Sequence, residues 1–562
     1  DPLPCHEELL KIGKLQQWRP GHTRKVVVVS HQWAGLTHPD PEFKQFSVLQ
    51  HALMNLAGGK AQMQMDCISA INGFQLSMPS ATDQLSCLEW DFWYDYFGCP
   101  QKCGTSPGKD TPDIQAVVNS IPAYCDIADF TLVLAPAIKH SDTHHTISQR
   151  TWSNRGWCRL ERLATKLSGN DKSLVVVSAP TRLLVTAGPD WIKAWPDEGN
   201  FTLDADRDVV REVTGQLMDM KCQSLWEQGD KDKWRFYSAL VPKARGFQGC
   251  QYGENLSEFL NRYQLDTPSC FCLGTALTPL ILASIEGNLD VMTQLLEKQA
   301  DVNQVITWNM PDAHIDGRHS ALSMASMLST PEAVTKLLNW GASMDLVKNM
   351  NNSSVLSIAG YFGNAPAMKV LLAHDARIDH CDDEGSNPLH VGAFSPNPWV
   401  TQILLDHGVN PDAFCYVGAT ALAMTSICNA DPSHAERMLK AKADPNLAGS
   451  SEGCLHSMLS WGSKKKIAMG CASELEWNLA VANNGTPLHL AAINGSLEIA
   501  KLLLAYGANP DATWGDDQLT AKDLAQMRDH QDIVELFDKS PRKGSRCSMS
   551  LSSLDLDIGF MR

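Results

Sequence analysis

The stretch Thr486-Pro487-Leu488-His489-Leu490-Ala491-Ala492 decides the fold of the carboxy-terminal half of the chain. Thr486 is a residue type that caps helices, and Pro487 suits the first helical position because an N–H has no helical partner there. Leu488 and Ala491 then lie about one turn apart, on the same face of the helix. The stretch therefore predicts a short helix with one apolar face.

The same signature recurs along the chain at a nearly constant spacing. Earlier copies begin at residues 278, 320, 354, 387 and 420, and a later copy begins at residue 520. The spacings between the earlier copies are 42, 34, 33 and 33 residues, and the step from 420 to 486 is 66, which is twice 33. Midway through that step, Gly453-Cys454-Leu455-His456 predicts a degenerate copy, so we expect about eight units.

A second helix completes each predicted unit. In the clearest copy, Leu502-Leu503-Leu504 supplies its apolar positions, and Gly507 supplies the left-handed residue that ends it. In other units the equivalent position holds Gln299, Asp375 or Lys442. A left-handed conformation there costs about 1 kcal/mol per residue, so these units should be less stable.

Helices of about eight residues are marginal in water, because few hydrogen bonds offset the cost of starting a helix. Neighbouring pairs must therefore stack to bury their leucines, and a solenoid follows. One stretch departs from the pattern. Residues 462–484 lack the Leu-Leu pair of a second helix, and they are predicted to form a loop.

A period of 33 residues with this signature resembles the ankyrin-repeat family. The resemblance implies an all-α solenoid over residues 275–539 that grips a protein partner with its concave face and hairpin tips. The first connection, residues 304–319, adds nine residues to the period, and such insertions tend to fall on the binding face. The candidate anchors for the partner are the aromatic residues Trp308, Trp340, Tyr361, Phe362 and Trp399.

The amino-terminal part of the chain has a different pattern. Val26-Val27-Val28-Val29 is typical of a buried parallel strand, and it ends in Ser30-His31-Gln32-Trp33. Further strand-like and helix-like runs alternate after it, which predicts an open parallel α/β sheet with ligands at the carboxyl ends of its strands. The strand-like runs are residues 88–97, 130–135 and 174–178, and the helical ones are 113–127 and 157–167.

One motif in this part is similar to a known family. The run Arg155-Gly156-Trp157-Cys158-Arg159-Leu160-Glu161-Arg162-Leu163 resembles the Trp-Cys-x-x-Glu-Leu helix start of the Toll/interleukin-receptor (TIR) superfamily. The resemblance covers residues 25–180 and implies a TIR-like, flavodoxin-like domain that assembles into homo-oligomers. In the members that cleave NAD this glutamate is catalytic, a role that would fall on Glu161, with NAD as a substrate and no required cofactor.

The same resemblance suggests which residues would line the NAD site. They are Ser30, His31, Trp33 and Trp157. The residue pattern adds the strand-end segment Asp95-Tyr96-Phe97, which would either border the same cleft or form a turn. The Ser-His-x-Trp opening departs from the family's usual strand end.

The residues themselves leave other interpretations open for this helix. Trp157 suits a core position, and Cys158 suits an inert buried thiol. Glu161 suits an ion pair with Arg159 or Arg162 on the helix surface. Two hypotheses for the whole chain therefore stand side by side. One is a scaffold or signalling adaptor that needs no catalysis, and the other is an NAD glycohydrolase regulated by the repeats.

Composition narrows the classes of partner. The net charge of −16 excludes a nucleic-acid partner, because duplex binding depends on clustered lysine and arginine. No run of eighteen uninterrupted apolar residues occurs, so we expect no membrane span.

The seventeen cysteines are scattered, which favours a reducing, cytoplasmic setting. Cysteine and histidine spacings match no compact zinc site, and we expect no metal.

Three further segments complete the predicted organisation. Residues 1–24 form an amino-terminal extension, and residues 181–274 form a helical connector, because apolar residues recur there at helical spacing. Residues 540–562 are rich in serine and lack apolar clusters, so they are predicted to be a disordered tail.

Overall fold

The structure is a computed structural model of the 562-residue chain. It divides into two compact units, Asp1–Gly229 with Ala244–Gly246, and Asp230–Lys243 with Phe247–Arg562. Trp308 and the predicted tail, residues 540–562, lie outside the residues that the structure describes. The described residues are 3–71, 76–99, 114–168, 172–186, 190–247, 253–265, 277–307, 310, 313, 315, 318–345, 351–428, 430–450 and 454–539.

The first unit is built on a six-stranded sheet with the strand order β2-β8-β7-β4-β1-β3. The strands β5 and β6 form a separate two-stranded pair. The bounds of these strands are Val26–His31 (β1), Met63–Met65 (β2), Asp91–Tyr94 (β3), Phe130–Leu134 (β4), Ile138–Lys139 (β5), Thr146–Ile147 (β6), Leu174–Ala179 (β7) and Arg182–Thr186 (β8).

The sheet is mixed, and not wholly parallel as the sequence predicted. The strands β3, β1, β4 and β7 are parallel, with Val28 opposite both Trp93 and Thr131. However, β8 is antiparallel to β7, because the two residues Pro180 and Thr181 between them allow only a hairpin. The strand β2 pairs in parallel with β8. The sheet therefore extends past residue 180, into the segment for which the sequence indicated helices.

Helices cover both faces of the sheet. Their bounds are His6–Lys11 (α1), Lys44–Ala57 (α2), Cys67–Ile71 (α3), Ala81–Leu85 (α4), Asp95–Gly98 (α5), Ile114–Ile127 (α6), Gln149–Asn154 (α7), Gly156–Leu167 (α8), Asp190–Lys193 (α9) and Asp206–Glu227 (α10). Val27 and Val29 belong to a core cluster with Leu53 of α2, and Val133 belongs to a second cluster with Trp152 of α7. The central strands are thus buried on both faces, which explains their continuous apolar runs.

The described residues of the second unit form helices and two short strand pairs. These pairs are Ile306–Thr307 (β9) with Arg318–His319 (β10), and Thr513–Trp514 (β11) with Leu519–Thr520 (β12). Its helices are Lys231–Ala244 (α11), Leu256–Arg262 (α12), Pro279–Glu286 (α13), Leu289–Glu297 (α14), Ala321–Leu328 (α15), Pro331–Asn339 (α16), Val355–Tyr361 (α17), Ala365–Ala373 (α18), Pro388–Gly392 (α19), Trp399–Asp406 (α20), Ala421–Ile427 (α21), Pro432–Lys440 (α22), Cys454–Ala468 (α23), Glu474–Ala482 (α24), Pro487–Asn494 (α25), Leu497–Ala505 (α26), Ala521–Met527 (α27) and Gln531–Lys539 (α28).

These helices stack in two layers. The first helices of successive pairs pack in the order α13, α15, α17, α19, α21, α25 and α27, and the second helices form the other layer. Leu322, Leu389 and Leu488 of the first layer are buried, as the periodicity predicted. The solenoid expected from the sequence is confirmed.

The histidine of the repeat signature links one unit to the next. His489 Nδ1 lies 2.8 Å from Thr486 Oγ1, and His489 Nε2 lies 3.1 Å from the carbonyl oxygen of Ala512, in the following hairpin. Burial lowers the pKa of His489, so the ring is neutral and donates to that carbonyl through Nε2. His390 makes the corresponding contact with the carbonyl of Ala419.

The predicted degenerate unit at residues 453–456 is not a stacked repeat. The helix α21 packs directly on α25, and Ser496 Oγ donates to the carbonyl of Ser426 at 2.9 Å across the intervening segment. That segment forms an inserted helical hairpin, α23 and α24, so the loop predicted for residues 462–484 is also wrong. The physical reason lies in α23, where the buried positions among residues 458–468 are Ser460 and Ser463 rather than leucines that could separate α21 from α25.

The residues that end the second helices adopt the expected left-handed conformation. Gly507 has a φ of +91°, and a Cβ there would meet nothing within 4 Å. Gln299, Asp375 and Lys442 have φ values of 63°, 62° and 68°. These three units therefore carry the backbone cost that the sequence predicted.

A matched pair of substitutions in α26 tests the stacking. Leu503 is buried between helices, whereas Leu504 on the same helix is only half-buried. We expect Leu503→Ala to lower the free energy of unfolding by about 2–5 kcal/mol, because it leaves a cavity between stacked pairs. Leu504→Ala should cost less than about 1 kcal/mol, since water fills the space. Urea denaturation followed by circular dichroism measures both, and equal losses would contradict the stacked arrangement.

Candidate functional sites

The hairpin tips between helix pairs form one continuous edge of the array. The Asp383 N–H donates to the carbonyl of Asn351 at 2.9 Å, and the Tyr416 N–H donates to the carbonyl of Glu384 at 2.8 Å. These two tips are thus each hydrogen-bonded to the tip before them. This part of the edge is an ordered surface.

Two aromatic residues are exposed on this edge. Phe414 and Tyr416 lie in the tip between α20 and α21, and the Tyr416 side chain is 60% exposed. Gly385 in the preceding tip has a φ of +72°, and a Cβ on it would lie 2.6 Å from the Tyr416 ring. The Tyr416 ring therefore packs against the backbone at Gly385, where no side chain intervenes, and this contact orients the ring. Sequence analysis missed both residues, although aromatic residues in a polar tip are a readable signal.

The anchors predicted from the sequence occupy different places. Trp340 caps the end of α16 and Trp399 begins α20, and both are exposed. The guanidinium of Arg437 lies 4.2 Å from the centre of the Trp399 ring. Tyr361 is half-buried. Phe362 is only 7% exposed, so it packs inside the array and is unsuited to anchor a partner.

A second candidate site is a polar cluster in the α/β unit. Ser30 and His31 end β1, and Asp95 follows directly on β3, the parallel neighbour of β1. The carboxyl ends of parallel neighbours meet at the same edge of a sheet, where ligands bind in such folds. Glu161 of α8 reaches this edge from the helix layer. The three segments expected to border one cleft therefore converge.

The first contact in this cluster joins Glu161 to Ser30. The Ser30 hydroxyl donates to Glu161 Oε2 and accepts a hydrogen bond from Trp152 Nε1 at 2.7 Å. Burial raises the pKa of Glu161 to about 7, although the hydrogen bond from Ser30 and the charge of His31 act in the opposite direction. The negative charge of Asp95 adds to the increase. At neutral pH this carboxyl group is therefore present in both protonation states.

Asp95 and His31 form the second contact. Their Oδ1 and Nε2 atoms lie 2.8 Å apart, and Trp33 Nε1 donates to the other Asp95 oxygen at 3.0 Å. Burial acts to lower the pKa of His31, but the charge and hydrogen bond of Asp95 outweigh it and raise that pKa. Burial acts to raise the pKa of Asp95, and its bonds with His31 and Trp33 lower it overall. Both pKa shifts favour the ion pair of an aspartate with an imidazolium.

Exposure shows which member of this pair a ligand would meet. The Asp95 side chain is 36% exposed, whereas the His31 side chain beneath it is 1% exposed. The Tyr94 ring stacks on His31, with the ring centres 4.3 Å apart. His31 therefore holds Asp95 from below and favours its ionised form, and Asp95 is the member of the pair that is exposed to solvent.

Trp157 does not take part in this cluster, and Cys158 contacts it through the backbone, since its thiol donates to the carbonyl of His31 at 3.8 Å. Trp157 Nε1 donates to Asp206 of α10 at 3.0 Å, so the indole points away from the other predicted contacts of the NAD site. The Cys158 thiol is buried, and burial raises its pKa well above the ordinary value. A thiol in that state is a poor nucleophile.

The arrangement combines an acid with a base at one sheet edge. A carboxyl group with a pKa near 7 can donate a proton at neutral pH, and the ionised Asp95 nearby can stabilise positive charge. Arg159, a suggested ion-pair partner of Glu161, instead donates to the carbonyls of Ser153 and Trp195, at 2.9 and 3.1 Å. Glu161 therefore lacks the guanidinium of Arg159 as a counterion.

Comparison with protein families identifies the helical array. Residues 322–415 and 356–449 match the model described as ankyrin repeats (3 copies), and residues 277–306 and 483–514 match the model of a single ankyrin repeat. The stacked helix pairs in these ranges are ankyrin repeats. The inserted hairpin lies between the matched ranges, which agrees with its place outside the stack. These two models do not cover the α/β unit, and its TIR-like character stays a prediction.

Similar proteins with ankyrin-like segments have unrelated activities. Transient receptor potential cation channel subfamily A member 1 of Homo sapiens is 26% identical over 269 residues, 47% of this chain and 20% of that protein. Tyrosine-protein kinase HTK16 of Hydra vulgaris is 30% identical over 181 residues, covering 29% of this chain and 22% of that protein. Inversin of Homo sapiens is 30% identical over 122 residues, 22% and 11% of the respective chains. The chain thus covers less than a third of each relative's length, and the similarity transfers no activity.

Two further properties of the described residues bear on the setting of the protein. Eleven cysteines in the described ranges are free thiols. Among the helices of those ranges, none combines the length and the hydropathy that crossing a bilayer requires.

Substituting Glu161 distinguishes a functional carboxyl group from a structural one. Because the folded-state pKa of Glu161 lies above its unfolded value, ionisation destabilises the fold as pH rises from 4.5 to about 7. We expect Glu161→Gln, which still accepts the Ser30 hydrogen bond, to leave stability unchanged at pH 5. At pH 8 it should raise the free energy of unfolding by about 1–2 kcal/mol, measured by urea denaturation. A loss of stability at both pH values would make Glu161 a structural ion-pair partner.

Proposed function

We propose that this protein is a binding scaffold or signalling adaptor that engages a protein partner through its ankyrin repeats. The observation that carries the proposal is the ordered edge of hairpin tips with Phe414 and Tyr416 exposed on it. Aromatic side chains dominate binding energy at protein interfaces. A ring already held by Gly385 loses little conformational freedom on binding, so more of the contact energy appears as affinity.

The remaining parts of the chain fit this role. Trp340 and Trp399 offer further aromatic surface on the layer of second helices. The α/β unit, in this proposal, brings copies of the chain together in the cytoplasm and acts as a TIR-like assembly domain. The free thiols of the described residues support the reducing setting.

Site-specific crosslinking of the full chain in its own cells tests the scaffold function. A photoreactive phenylalanine analogue at position 416 should capture a partner protein, and the same analogue at position 18 serves as the control because Trp18 is exposed but lies in the other unit. The partner, once identified and purified, should bind a Phe414→Ala, Tyr416→Ala variant at least about 10-fold more weakly than the parent. Equal binding by parent and variant would contradict the tip surface.

A second function is supported by the polar cluster of the α/β unit. We propose as the alternative that the cluster hydrolyses NAD. The bond between nicotinamide and ribose would break with both electrons leaving on nicotinamide, and water would add to the ribose carbon and release a proton. Ionised Glu161 would stabilise the positive charge on the ribose, and Asp95, charged and oriented by His31, would act beside it. The convergence of Ser30, His31 and Glu161 supports this proposal.

Nicotinamide release measures this activity directly. The full chain at high concentration, incubated with NAD, should release nicotinamide, and Glu161→Gln should reduce the rate at least about 100-fold. Glu89→Gln, at an exposed glutamate of the same unit, is the matched control and should keep the parental rate. Absence of turnover at every protein concentration would remove the hydrolase alternative and leave the scaffold.

A further inference from the structure

The inserted hairpin has an unusual distribution of side chains. The helix α23 is 15 residues long, whereas the first helices of the stacked pairs have between 5 and 8. Met458, Trp461 and Met469 are 65%, 61% and 69% exposed. These positions follow a helical spacing and share one face of α23 and its carboxy-terminal end, which we call the α23 face. A solvent-facing row of three large apolar side chains is the mark of an interaction surface.

The opposite side of α23 shows that the exposed apolar residues are not core residues turned outward. Among residues 458–468 of α23, Ser460 and Ser463 are the buried positions, and they lie on the side of the helix away from the α23 face. The partner helix α24 buries its own Trp477 and Val481. The hairpin thus has an inner side that is already packed, and its large outer apolar side chains are mostly exposed.

The insertion is also unnecessary for the continuity of the array. Its two ends meet in a neck, where the Gly449 N–H donates to the carbonyl of Gly485 at 2.9 Å and the Asn484 N–H donates to the carbonyl of Gly449 at 3.0 Å. The stacked layers pass directly from α21 to α25 beside this neck. The hairpin therefore adds a surface to the solenoid without adding a repeat.

Positive charge lies beside the α23 face. Lys465 Nζ lies 3.6 Å from the centre of the Trp461 ring, and Lys464 Nζ lies 5.3 Å from that of Trp514. Both ammonium groups face aromatic rings rather than carboxylates, while the neighbouring Lys466 is paired with Glu476. In a chain of net charge −16 this is a local reversal of sign. The charge is complementary to an acidic ligand.

We propose that the α23 face binds an acidic amphipathic helix of a partner protein. Apolar side chains of that helix, at helical spacing, would pack on Met458, Trp461 and Met469, and its flanking carboxylates would pair with Lys464 and Lys465. Methionine side chains adapt their shape to such a ligand. This inference deepens the proposed scaffold function, because it adds a second docking surface and gives the chemistry of its ligand.

An anionic membrane also combines negative charge with an apolar interior, but the structure favours a protein helix as the ligand. Attraction to such a surface grows by about 1 kcal/mol for each basic residue near it, and only Lys464 and Lys465 here face away from carboxylates in the described contacts. The net charge of −16 opposes the approach of the whole chain to an anionic bilayer.

A designed peptide pair tests the proposal on the full chain. One probe is an 18-residue helix with leucine at every third or fourth position and glutamate elsewhere, and the other has lysine in place of each glutamate. Fluorescence anisotropy should show micromolar binding of the acidic probe and at least 10-fold weaker binding of the basic one. Trp461→Ala and the double variant Lys464→Glu, Lys465→Glu should each weaken the acidic probe at least 10-fold. These side chains are exposed or half-buried, and circular dichroism checks that the variants fold.

The controls separate this surface from the others. Trp18→Ala removes an exposed tryptophan of the other unit and should leave peptide binding unchanged. The peptide is measured on the chain alone, whereas the hairpin-tip test measures a purified partner, so failure of the hairpin-tip proposal and failure of this one are distinguishable. Equal binding of both probes, or none of the acidic probe, would overturn the proposal. Binding to vesicles containing about 30% phosphatidylserine without peptide binding would also overturn it. Concentration-dependent dimers that Trp461→Ala abolishes, again without peptide binding, would do the same.

Discussion

The structure depends on one constraint, which is that a short helix pair cannot remove its apolar residues from water by itself. Leu488 of α25 and Leu503 of α26 are buried only because helices of the neighbouring pairs lie against them. The signature residues serve this stacking. A neutral His489 bridges its own helix start to the next hairpin, and left-handed residues such as Gly507 turn the chain back. The array is therefore a sum of similar contacts between neighbours, and its outer surfaces are free to vary.

That freedom accounts for the features that set this array apart. The hydrogen-bonded hairpin tips accept aromatic side chains such as Tyr416 without disturbing the layers behind them. The hairpin of α23 and α24 enters through a narrow neck and leaves α21 stacked on α25. In the α/β unit a comparable rule applies, since the parallel strands β1 and β3 bring His31 and Asp95 to one edge. In both units a rigid framework holds the side chains that a ligand would meet.

Local chemistry explains how much of this the sequence could predict. The helix starts were predictable because capping is local, and the side chains of Thr278, Ser320 and Thr420 accept hydrogen bonds from the backbone as expected. The approach of Ser30 to Glu161 was predictable only through the family resemblance. The antiparallel direction of β8 was not predicted, although the short link at residues 180–181 implies a hairpin. The inserted hairpin was not predicted because its length equals that of one repeat. Only the contacts between α21 and α25 show that the stack bypasses it.

Hydrogen exchange resolved by mass spectrometry tests the central claim, which is that the stack runs directly from α21 to α25. The account predicts that amides of these two helices are protected to the same degree and open together as denaturant is added. Amides of α23 should exchange faster, because this helix lies outside the stack. Protection of α25 that follows α23 while α21 opens separately would contradict the account.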